Sequence, residues 1–212
     1  MRPRVWVNCA ASADGKIATI RRTQTRLSSS ADLDRVERLR GESDAIMVGI
    51  STVITDDPGL MPPRGSKRPL LRVIVDSKGR TPRSARVLDG KGPTLIATTE
   101  ESTATFAQAE TVRFGKGRVD LAQLLDELGR RNVKQVLVEG GGTLIFSLLQ
   151  AGLVDDLTVF YADLVLGGRG APTIADGEGF PDLGQAVKLH FKESKRLDGG
   201  TLMHYQVGTK AN

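Results

Sequence analysis

The chain has 212 residues, of which 39% are hydrophobic and 26% are charged. This length suits one large domain or at most two small ones, and the composition is that of a folded globular protein rather than a disordered chain. One cysteine and two histidines exclude a disulfide framework, a zinc module built on four cysteines or on two of each, and the zinc-dependent base deaminases. The net charge of +5 suits solubility, a phosphate-bearing metabolite or nucleic acid.

Strand patterns alternate with helical patterns along the chain, which predicts an α/β fold whose central sheet is mainly parallel. The predicted strands are 4–10, 44–49, 70–76, 93–98, 133–139, 155–162, 186–197 and 200–208, and the predicted helices are 30–40, a short one at 50–55, 119–131 and 142–151. Asp198-Gly199-Gly200 predicts a hairpin that adds antiparallel strands at the sheet edge. We therefore expect a single domain over residues 1–212, with a core at about 4–208 and a mixed sheet.

The expected compartment follows from what the sequence lacks. No apolar run approaches the h-region of a signal peptide or the ~20 residues of a membrane span. Together with the lone cysteine, this predicts a cytoplasmic protein without a membrane partner.

Positive charge is concentrated between Met61 and Arg86, where a single acid, Asp76, stands among eight basic residues. They are Arg64, Lys67, Arg68, Arg72, Lys78, Arg80, Arg83 and Arg86. Modules that hold single-stranded nucleic acid usually interleave aromatic residues for base stacking, and this segment contains none. A small phosphorylated ligand is therefore favoured over a polynucleotide.

Two glycine-containing turns lead from a strand into a helix. After the strand at 133–139, which ends in Glu139, three glycines precede the helix at 142–151, an arrangement that either binds a phosphate or only reverses the chain. Glu139 favours a ligand, because open α/β sheets bind ligands at the carboxyl ends of their strands. At the earlier turn, after Gly49, Thr52 either caps the short helix or binds a phosphate, and the local sequence favours capping. The Asp56-Asp57-Pro58 segment that follows is predicted to be a turn rather than a metal site.

Other candidate residues have weaker local signals. Leu33 and Val36 predict an apolar stripe on the helix at 30–40, and Arg40 continues that stripe, where it either extends to water or meets a phosphate or carboxylate partner. Asp14-Gly15 is predicted to be a turn. Cys9 is expected to be buried and inert, and His190 and His204 are expected to be packing or surface residues.

The motifs taken together resemble the riboflavin-pathway reductases over residues 5–207. The family includes 2,5-diamino-6-ribosylamino-4(3H)-pyrimidinone 5′-phosphate reductases and the reductase half of the bifunctional bacterial deaminase–reductases. The resemblance rests on Asp14-Gly15-Lys16-Ile17-Ala18, Leu39-Arg40, Asp44 to Gly49 with Thr52 and Asp56-Asp57-Pro58-x-Leu60, Val73-x-Val75-Asp76, Val138 to Leu144, Leu153-Val154-Asp155 and Leu166-Gly167-Gly168. Ala13 departs from the family, which often has leucine there, and residues 99–118 carry no motif that we can assign.

The resemblance implies a dihydrofolate-reductase-like fold, NADPH as hydride donor and a homodimer. It also implies site residues. Those for the substrate are Arg40, Leu60, Arg64 and Glu139; those for the cofactor are Thr52, Asp56, Ser77, Gly140, Gly141, Gly142 and Thr143; and those for catalysis are Glu139, Lys16 and Asp14. The alternative for Lys16 is that it is a solvated lysine in a turn without a catalytic role. No metal site is expected.

The implied activity is reduction of the ribosylamino group of the diaminopyrimidinone phosphate to a ribitylamino group. Because the cysteines needed for an attached zinc deaminase are missing, we expect a free-standing reductase that acts before deamination. Reduction of the deaminated 5-amino-6-ribosylaminouracil 5′-phosphate stays open as an alternative. The rivals are a non-catalytic nucleotide- or RNA-binding module and a dihydrofolate reductase, and the scarcity of aromatic residues to flank a pterin counts against the latter.

Overall fold

The structure is a computed structural model that describes residues 1–23, 26–66 and 68–208. Lys67 of the basic segment and the last four residues of the predicted domain lie outside the described residues. The described residues form nine strands, four α-helices and two short 3-10 helices. In chain order these are β1 (Arg4–Ser12), α1 (Ser30–Glu42), β2 (Ala45–Gly49), α2 (Ile50–Asp56), β3 (Leu71–Val75), a 3-10 helix (Arg86–Leu88), β4 (Thr94–Thr98), β5 (Glu110–Arg113), α3 (Leu121–Arg130), β6 (Gln135–Gly140), α4 (Gly142–Gln150), β7 (Asp156–Ala162), a second 3-10 helix (Leu183–Gln185), β8 (Leu189–Leu197) and β9 (Gly200–Val207).

Every predicted strand and helix is present, with bounds that differ from the prediction by a few residues at most. The largest shift is at β8, which begins at Leu189 rather than at residue 186. Strand β5 was not predicted, and it lies in the segment to which no motif was assigned. It has only four residues and none of them is buried, so it lacks the apolar run or alternation that marks a strand.

The chain forms two compact units, and the first comprises residues 1–4 and 37–139. Its strands lie in the order β5-β4-β3-β2-β6, and β2 with β3, β3 with β4 and β4 with β5 are parallel pairs. The middle strands are apolar and almost wholly buried, as expected for a parallel sheet covered on both faces. Ile46, Val48, Ile74 and Ile96 from these strands form a core cluster with Leu60 and with residues around the first 3-10 helix.

The second unit comprises residues 5–36 and the described residues from Gly140 onward. Its strands lie in the order β1-β7-β9-β8, with β1 parallel to β7 and with β9 antiparallel to both β7 and β8. The hairpin between β8 and β9 turns at Gly199, whose φ of +70° suits a tight turn. The predicted α/β class, with mainly parallel strands and a C-terminal antiparallel hairpin, is confirmed.

Helix α1 corrects the predicted apolar stripe. Leu33 is exposed, and the buried residue beside it is Asp32, which is only 1% exposed. Arg35 donates from Nε and Nη2 to Asp32 Oδ1 and from Nη2 to Asn8 Oδ1, so the inward face of this helix begins with a polar network. A buried charge is tolerated when it is paired and hydrogen-bonded in this way, and hydrophobic periodicity cannot reveal such a face.

The cysteine and one of the histidines have packing environments in the second unit. Cys9 is half-buried rather than fully buried, and burial raises the pKa of its thiol to about 12, which keeps it unreactive. The ring of His204 stacks on Trp6 with 5.3 Å between centroids, and Nε2 lies 3.0 Å from Asp156 Oδ1, in keeping with the predicted packing role. Among the described helices, none has the length and the apolar character that crossing a membrane requires.

Candidate active site

Arg40 and Glu139 form a two-pronged ion pair in the first unit. Arg40 lies in the last turn of α1, and Glu139 is the last residue but one of β6. Arg40 Nε donates to Glu139 Oε1 at 2.8 Å and Nη2 donates to Oε2 at 2.6 Å. The side chains are 27% and 14% exposed, so both can be reached from solvent but are largely shielded. The structure thus brings together two of the predicted substrate residues. Of the partners considered for Arg40, the carboxylate is the one that is present.

The pair leaves one edge of the guanidinium available. Burial alone would lower the pKa of Arg40, but the hydrogen bonds to Glu139 and its negative charge raise that pKa overall, so the guanidinium stays protonated. Glu139 occupies Nε and Nη2, and no described residue accepts a hydrogen bond from Nη1. Arginine presents its donors in a rigid planar fork, so fixing two of them also fixes the direction of the third. Glu139 therefore fixes the direction in which Nη1 can donate a hydrogen bond.

Leu60 and Arg64 lie on the segment between α2 and β3. Leu60 as a whole residue is 3% exposed, and it belongs to the core cluster with Leu70 and Val87. Its φ of +47° is in the left-handed region, which is uncommon for a residue with a side chain. Leu60 therefore presents very little surface, of side chain or backbone, to a ligand. Arg64 lies in an exposed turn, where its guanidinium is accessible.

Thr52 and Asp56 lie four residues apart on α2, which places them on one face of that helix, and both are half-buried. The expectation that Thr52 caps the helix is wrong. The N-cap is Gly49, which has no side chain to offer, and Thr52 is the third residue of the helix. Burial raises the pKa of Asp56. Asp57 adopts a left-handed conformation and accepts a hydrogen bond from the backbone N–H of Arg86 at 2.8 Å, so it is the predicted turn residue.

Ser77 follows β3 on a turn that the sequence did not explain. Asp76 is fully buried, and its Oδ2 accepts hydrogen bonds from the N–H of Thr81 at 2.7 Å and from the Thr81 hydroxyl at 2.8 Å. These bonds close the turn that presents Ser77. Asp76 Oδ1 has no hydrogen-bond partner in the described part of the chain. The sequence signal for this turn was an aspartate at the end of an apolar strand. The function of Asp76 is to hold the turn.

The glycine turn after β6 packs closely against another segment of the chain, and its backbone is suited to a ligand. Gly141 is the N-cap of α4 and provides no side-chain hydrogen bond to the first turn of the helix. A Cβ on Gly142 would stand 3.0 Å from Asp176 Oδ2, 3.1 Å from Asp176 N, and closer still to the carbonyl oxygen of Thr173. Gly142 is therefore required by the close approach of the 173–176 segment. The N–H groups at the start of α4 are suited to a phosphate oxygen, as is usual at a helix N-terminus.

Asp14 anchors a loop in the second unit. Its Oδ1 accepts from the Ser12 hydroxyl at 2.6 Å and from Leu166 N at 3.0 Å, and Oδ2 accepts from Gly167 N at 2.8 Å. These bonds lower the pKa of Asp14 to about 2, with the Ser12 hydroxyl as the largest cause. A carboxylate with this pKa is ionised at neutral pH and is a poor proton donor or acceptor there. Lys16 is half-buried beside it, and its backbone N–H donates to Ser12 Oγ at 3.0 Å.

We expect Asp14→Asn to lower stability in a pH-dependent way. The pKa of Asp14 falls from an unfolded value near 3.8 to about 2 in the fold, so the ionised group stabilises the native state above about pH 4. That contribution is lost as the pH falls from about 4 towards 2. Urea midpoints of the wild type and Asp14→Asn, measured from pH 7 down to pH 3, should therefore differ at neutral pH and converge below pH 4. A difference that stays constant over this range would contradict the anchoring role.

Several arginines of the basic segment form ion pairs or hydrogen bonds with other residues of the protein. Arg72 is 1% exposed and donates to Asp89 Oδ1 at 2.9 Å. Arg68 forms an ion pair with Asp44, and Arg83 donates to the Thr105 carbonyl and lies over the Phe106 ring. The segment is therefore not one continuous phosphate-binding surface. Arg72 was missed as a structural residue, although an arginine within the apolar run Leu70-Leu71-Arg72-Val73-Ile74-Val75 was the signal for a buried, fully paired guanidinium.

Residues 3–203 match the family described as the RibD C-terminal domain. The chain belongs to this family. The match spans both units, and it confirms the resemblance to the riboflavin-pathway reductases.

Two relatives share the name 2,5-diamino-6-ribosylamino-4(3H)-pyrimidinone 5′-phosphate reductase. The protein from Archaeoglobus fulgidus is 47% identical over 195 residues, which cover 85% of this chain and 89% of the relative. The protein from Methanothermobacter thermautotrophicus is 43% identical over 215 residues, which cover 98% of this chain and 99% of the relative. In both cases the similarity extends over most of each protein.

Solved structures of RibD-type proteins have the same fold. A diaminohydroxyphosphoribosylaminopyrimidine deaminase/5-amino-6-(5-phosphoribosylamino)uracil reductase from Thermotoga maritima aligns with 98% of this chain at a TM-score of 0.82 and 25% identity. RibD from Acinetobacter baumannii aligns with 98% at a TM-score of 0.81 and 24% identity, which bears on the fold alone. This chain spans 57% and 58%, respectively, of those two longer chains.

Proposed function

We propose that the chain is an NADPH-dependent reductase of riboflavin biosynthesis. Its substrate would be 2,5-diamino-6-ribosylamino-4(3H)-pyrimidinone 5′-phosphate, and the product would carry a ribitylamino group in place of the ribosylamino group. The observation that carries this proposal is the similarity, over nearly the whole chain, to two relatives of that name. The Arg40–Glu139 pair supports it, because it combines a donor for phosphate with an acceptor for amino or hydroxyl groups.

On the substrate side, Arg40 Nη1 and the exposed Arg64 bind the phosphate. Charge-assisted hydrogen bonds between a guanidinium and a phosphate are the strong ones in proteins, and a guanidinium that is already oriented loses little entropy on binding. Glu139 holds Arg40 in place and accepts hydrogen bonds from the pyrimidine amino groups or the sugar. Leu60, which is 3% exposed, contributes to the substrate site by fixing the course of the segment that leads to Arg64.

On the cofactor side, Thr52, Asp56 and Ser77 bind polar groups of NADPH. The glycine turn, Gly140 to Thr143, binds its phosphates, because the N–H groups at the start of α4 have no side-chain cap and suit an anionic oxygen. Bound NADPH supplies the hydride that reduces the former anomeric carbon of the opened sugar. Orienting the two ligands is then the main task of these residues.

In the proposed reaction, protons are transferred by Lys16 and Glu139 rather than by Asp14. Asp14 stays ionised through neutral pH because of its low pKa, and its three hydrogen bonds place it in the anchor of the 12–16 turn. Normal turnover of a folded Lys16→Met variant would remove Lys16 from this role.

We further propose that residues 1–212 act as one reductase domain in a cytoplasmic homodimer, without a nucleic-acid or membrane partner. The segment from Met61 to Arg86 has no aromatic residue for base stacking, and Arg68, Arg72 and Arg83 within it are paired inside the protein. Sedimentation of the purified chain, and its binding to RNA as salt is varied, test these two points.

The deciding experiment is nicotinamide oxidation with the diamino substrate and the deaminated substrate side by side, each with NADPH and with NADH. We expect oxidation of NADPH and a higher kcat/KM with the diamino substrate. A higher value with the deaminated substrate would replace the substrate proposal but keep the reductase. If correctly folded protein oxidises neither nicotinamide with either substrate and binds RNA with a steep salt dependence, a binding module is the better description.

A further inference from the structure

Arg72 is the centre of a buried hydrogen-bond network in the first unit. It is the second residue of β3, and its side chain is 1% exposed. Nε donates to Thr94 Oγ1 at 2.9 Å and Nη2 donates to the Gly92 carbonyl at 2.7 Å. Nη1 donates to Asp89 Oδ1 at 2.9 Å and reaches the carbonyls of Gly59 at 3.3 Å and Arg86 at 3.4 Å. One guanidinium therefore joins the segment at Gly59 to the segment from Arg86 to Thr94.

The Gly59 segment has a backbone that needs such support. Asp57 and Leu60 both have positive φ, +41° and +47°, within four residues. Such conformations are unfavourable for residues with a side chain and persist only where the surroundings hold them. Asp57 is held through its hydrogen bond from Arg86 N, and Leu60 is held by burial of its side chain in the core. Arg72 supplies the remaining hold, on the carbonyl of the residue directly before Leu60.

We propose that Arg72 is a positioning residue for substrate binding, acting through the backbone of Gly59 and Leu60. It contacts no ligand itself. It holds the Gly59 carbonyl, which directly precedes Leu60, and so sets the course of the chain through Leu60 towards Arg64. The identity of the ligand in this inference rests on the proposed function. The hydrogen bond from Arg72 to the Gly59 carbonyl does not depend on it.

The test compares Arg72→Lys with Thr94→Val. A lysine keeps the charge but cannot span Gly59, Gly92 and Thr94 at once. Valine at the buried position 94 removes the partner of Nε and the bond from the Thr94 hydroxyl to the Val87 carbonyl, but leaves the Nη1 bonds to Gly59 in place. Both variants should therefore lose stability, whereas only Arg72→Lys should change the Gly59 segment.

For Arg72→Lys we expect the KM for the pyrimidine substrate to rise roughly three- to tenfold, because the Gly59 carbonyl loses its hydrogen bond from the guanidinium. Its kcat and its KM for NADPH should change less than about twofold, and Thr94→Val should keep the wild-type KM for both ligands, within the same error. An equal substrate KM in the two variants, or an equal rise for NADPH, would show that Arg72 only stabilises the fold.

Hydrogen exchange separates this inference from the proposed function. Amides of residues 59–62 that bear an N–H should exchange faster in Arg72→Lys than in Thr94→Val, whether or not the protein reduces either pyrimidine. Equal exchange in the two variants would overturn the positioning role even if the reductase activity is confirmed. If Arg72→Lys does not fold, Asp89→Asn weakens the hold on Nη1 from a partly exposed position and should produce the same changes on a smaller scale. A folded Asp89→Asn with wild-type exchange and wild-type KM would equally overturn the role.

Discussion

Arg40→Ala should weaken binding of the phosphorylated pyrimidine by roughly 10- to 150-fold, the effect of losing a charge-assisted hydrogen bond of about 1.5–3 kcal/mol. Glu139 fixes two donors of Arg40 and leaves Nη1 available for the proposed phosphate contact. The measurement is the dissociation constant of the substrate by calorimetry, together with its KM. Binding of NADPH should stay within about threefold of the wild type, because the variant removes no proposed cofactor contact.

The matched control is Arg38→Ala, which removes the same charge from an exposed position two residues earlier on α1. It should leave the substrate constant nearly unchanged. Part of the loss in Arg40→Ala comes from the Glu139 carboxylate, which is left without its cation near the incoming phosphate. The double variant Arg40→Ala/Glu139→Gln removes that repulsion and should bind somewhat better than Arg40→Ala alone. An unchanged substrate constant in folded Arg40→Ala would exclude Arg40 from the site.

Gly142→Ala should destabilise the protein and impair cofactor binding together. Alanine is the better helix former by about 1 kcal/mol, so the substitution would be neutral or favourable if space were available. The added Cβ instead meets the Thr173 carbonyl and both the N and Oδ2 atoms of Asp176. That segment cannot easily yield, because the Thr173 N–H and hydroxyl are both bonded to the Asp176 carboxylate, at 3.1 Å and 2.6 Å. The clash therefore outweighs the helix propensity.

Overpacking of this kind costs roughly 1–3 kcal/mol, which lowers the Tm of a chain of this size by about 2–12 °C. A shift of the turn should also raise the KM for NADPH at temperatures where the variant is folded. Gly170→Ala is the control, since its added Cβ meets nothing within 4 Å and its φ is not in the left-handed region. Its stability should stay within about 0.5 kcal/mol of the wild type. If both alanine variants have the wild-type Tm, the close approach at Gly142 is not a constraint.

The sequence predicted the strands and helices well because buried parallel strands are continuous apolar runs, and turns between them are marked by glycine and aspartate. It missed β5 because that strand is short and exposed. It misplaced the inward face of α1 because Asp32, Arg35 and Asn8 form a paired polar network, which is indistinguishable by residue type from a solvated surface.

The candidate site was predictable only as separate residues. Arg40 and Glu139 stand 99 positions apart, and no local pattern shows that they bond to each other in a two-pronged geometry. The sequence likewise could not distinguish arginines that bind ligands from those that hold the fold, so Arg72 was counted with the free positive charge. The prediction of Asp14 as a catalytic residue could not include its low pKa, because the Leu166 and Gly167 N–H groups that contribute to it come from a segment about 150 residues away.

Leu60 shows how a binding position can be under selection for reasons unrelated to its ligand. Its side chain is held by the core and its backbone by a left-handed conformation, so the amino acids permitted there are set by packing volume and by tolerance of positive φ. The 3% of the residue that stays exposed leaves almost none of its side chain for a ligand to contact. Substitutions at this position during evolution would therefore reflect repacking of the interior. They would not indicate whether the substrate preference had changed.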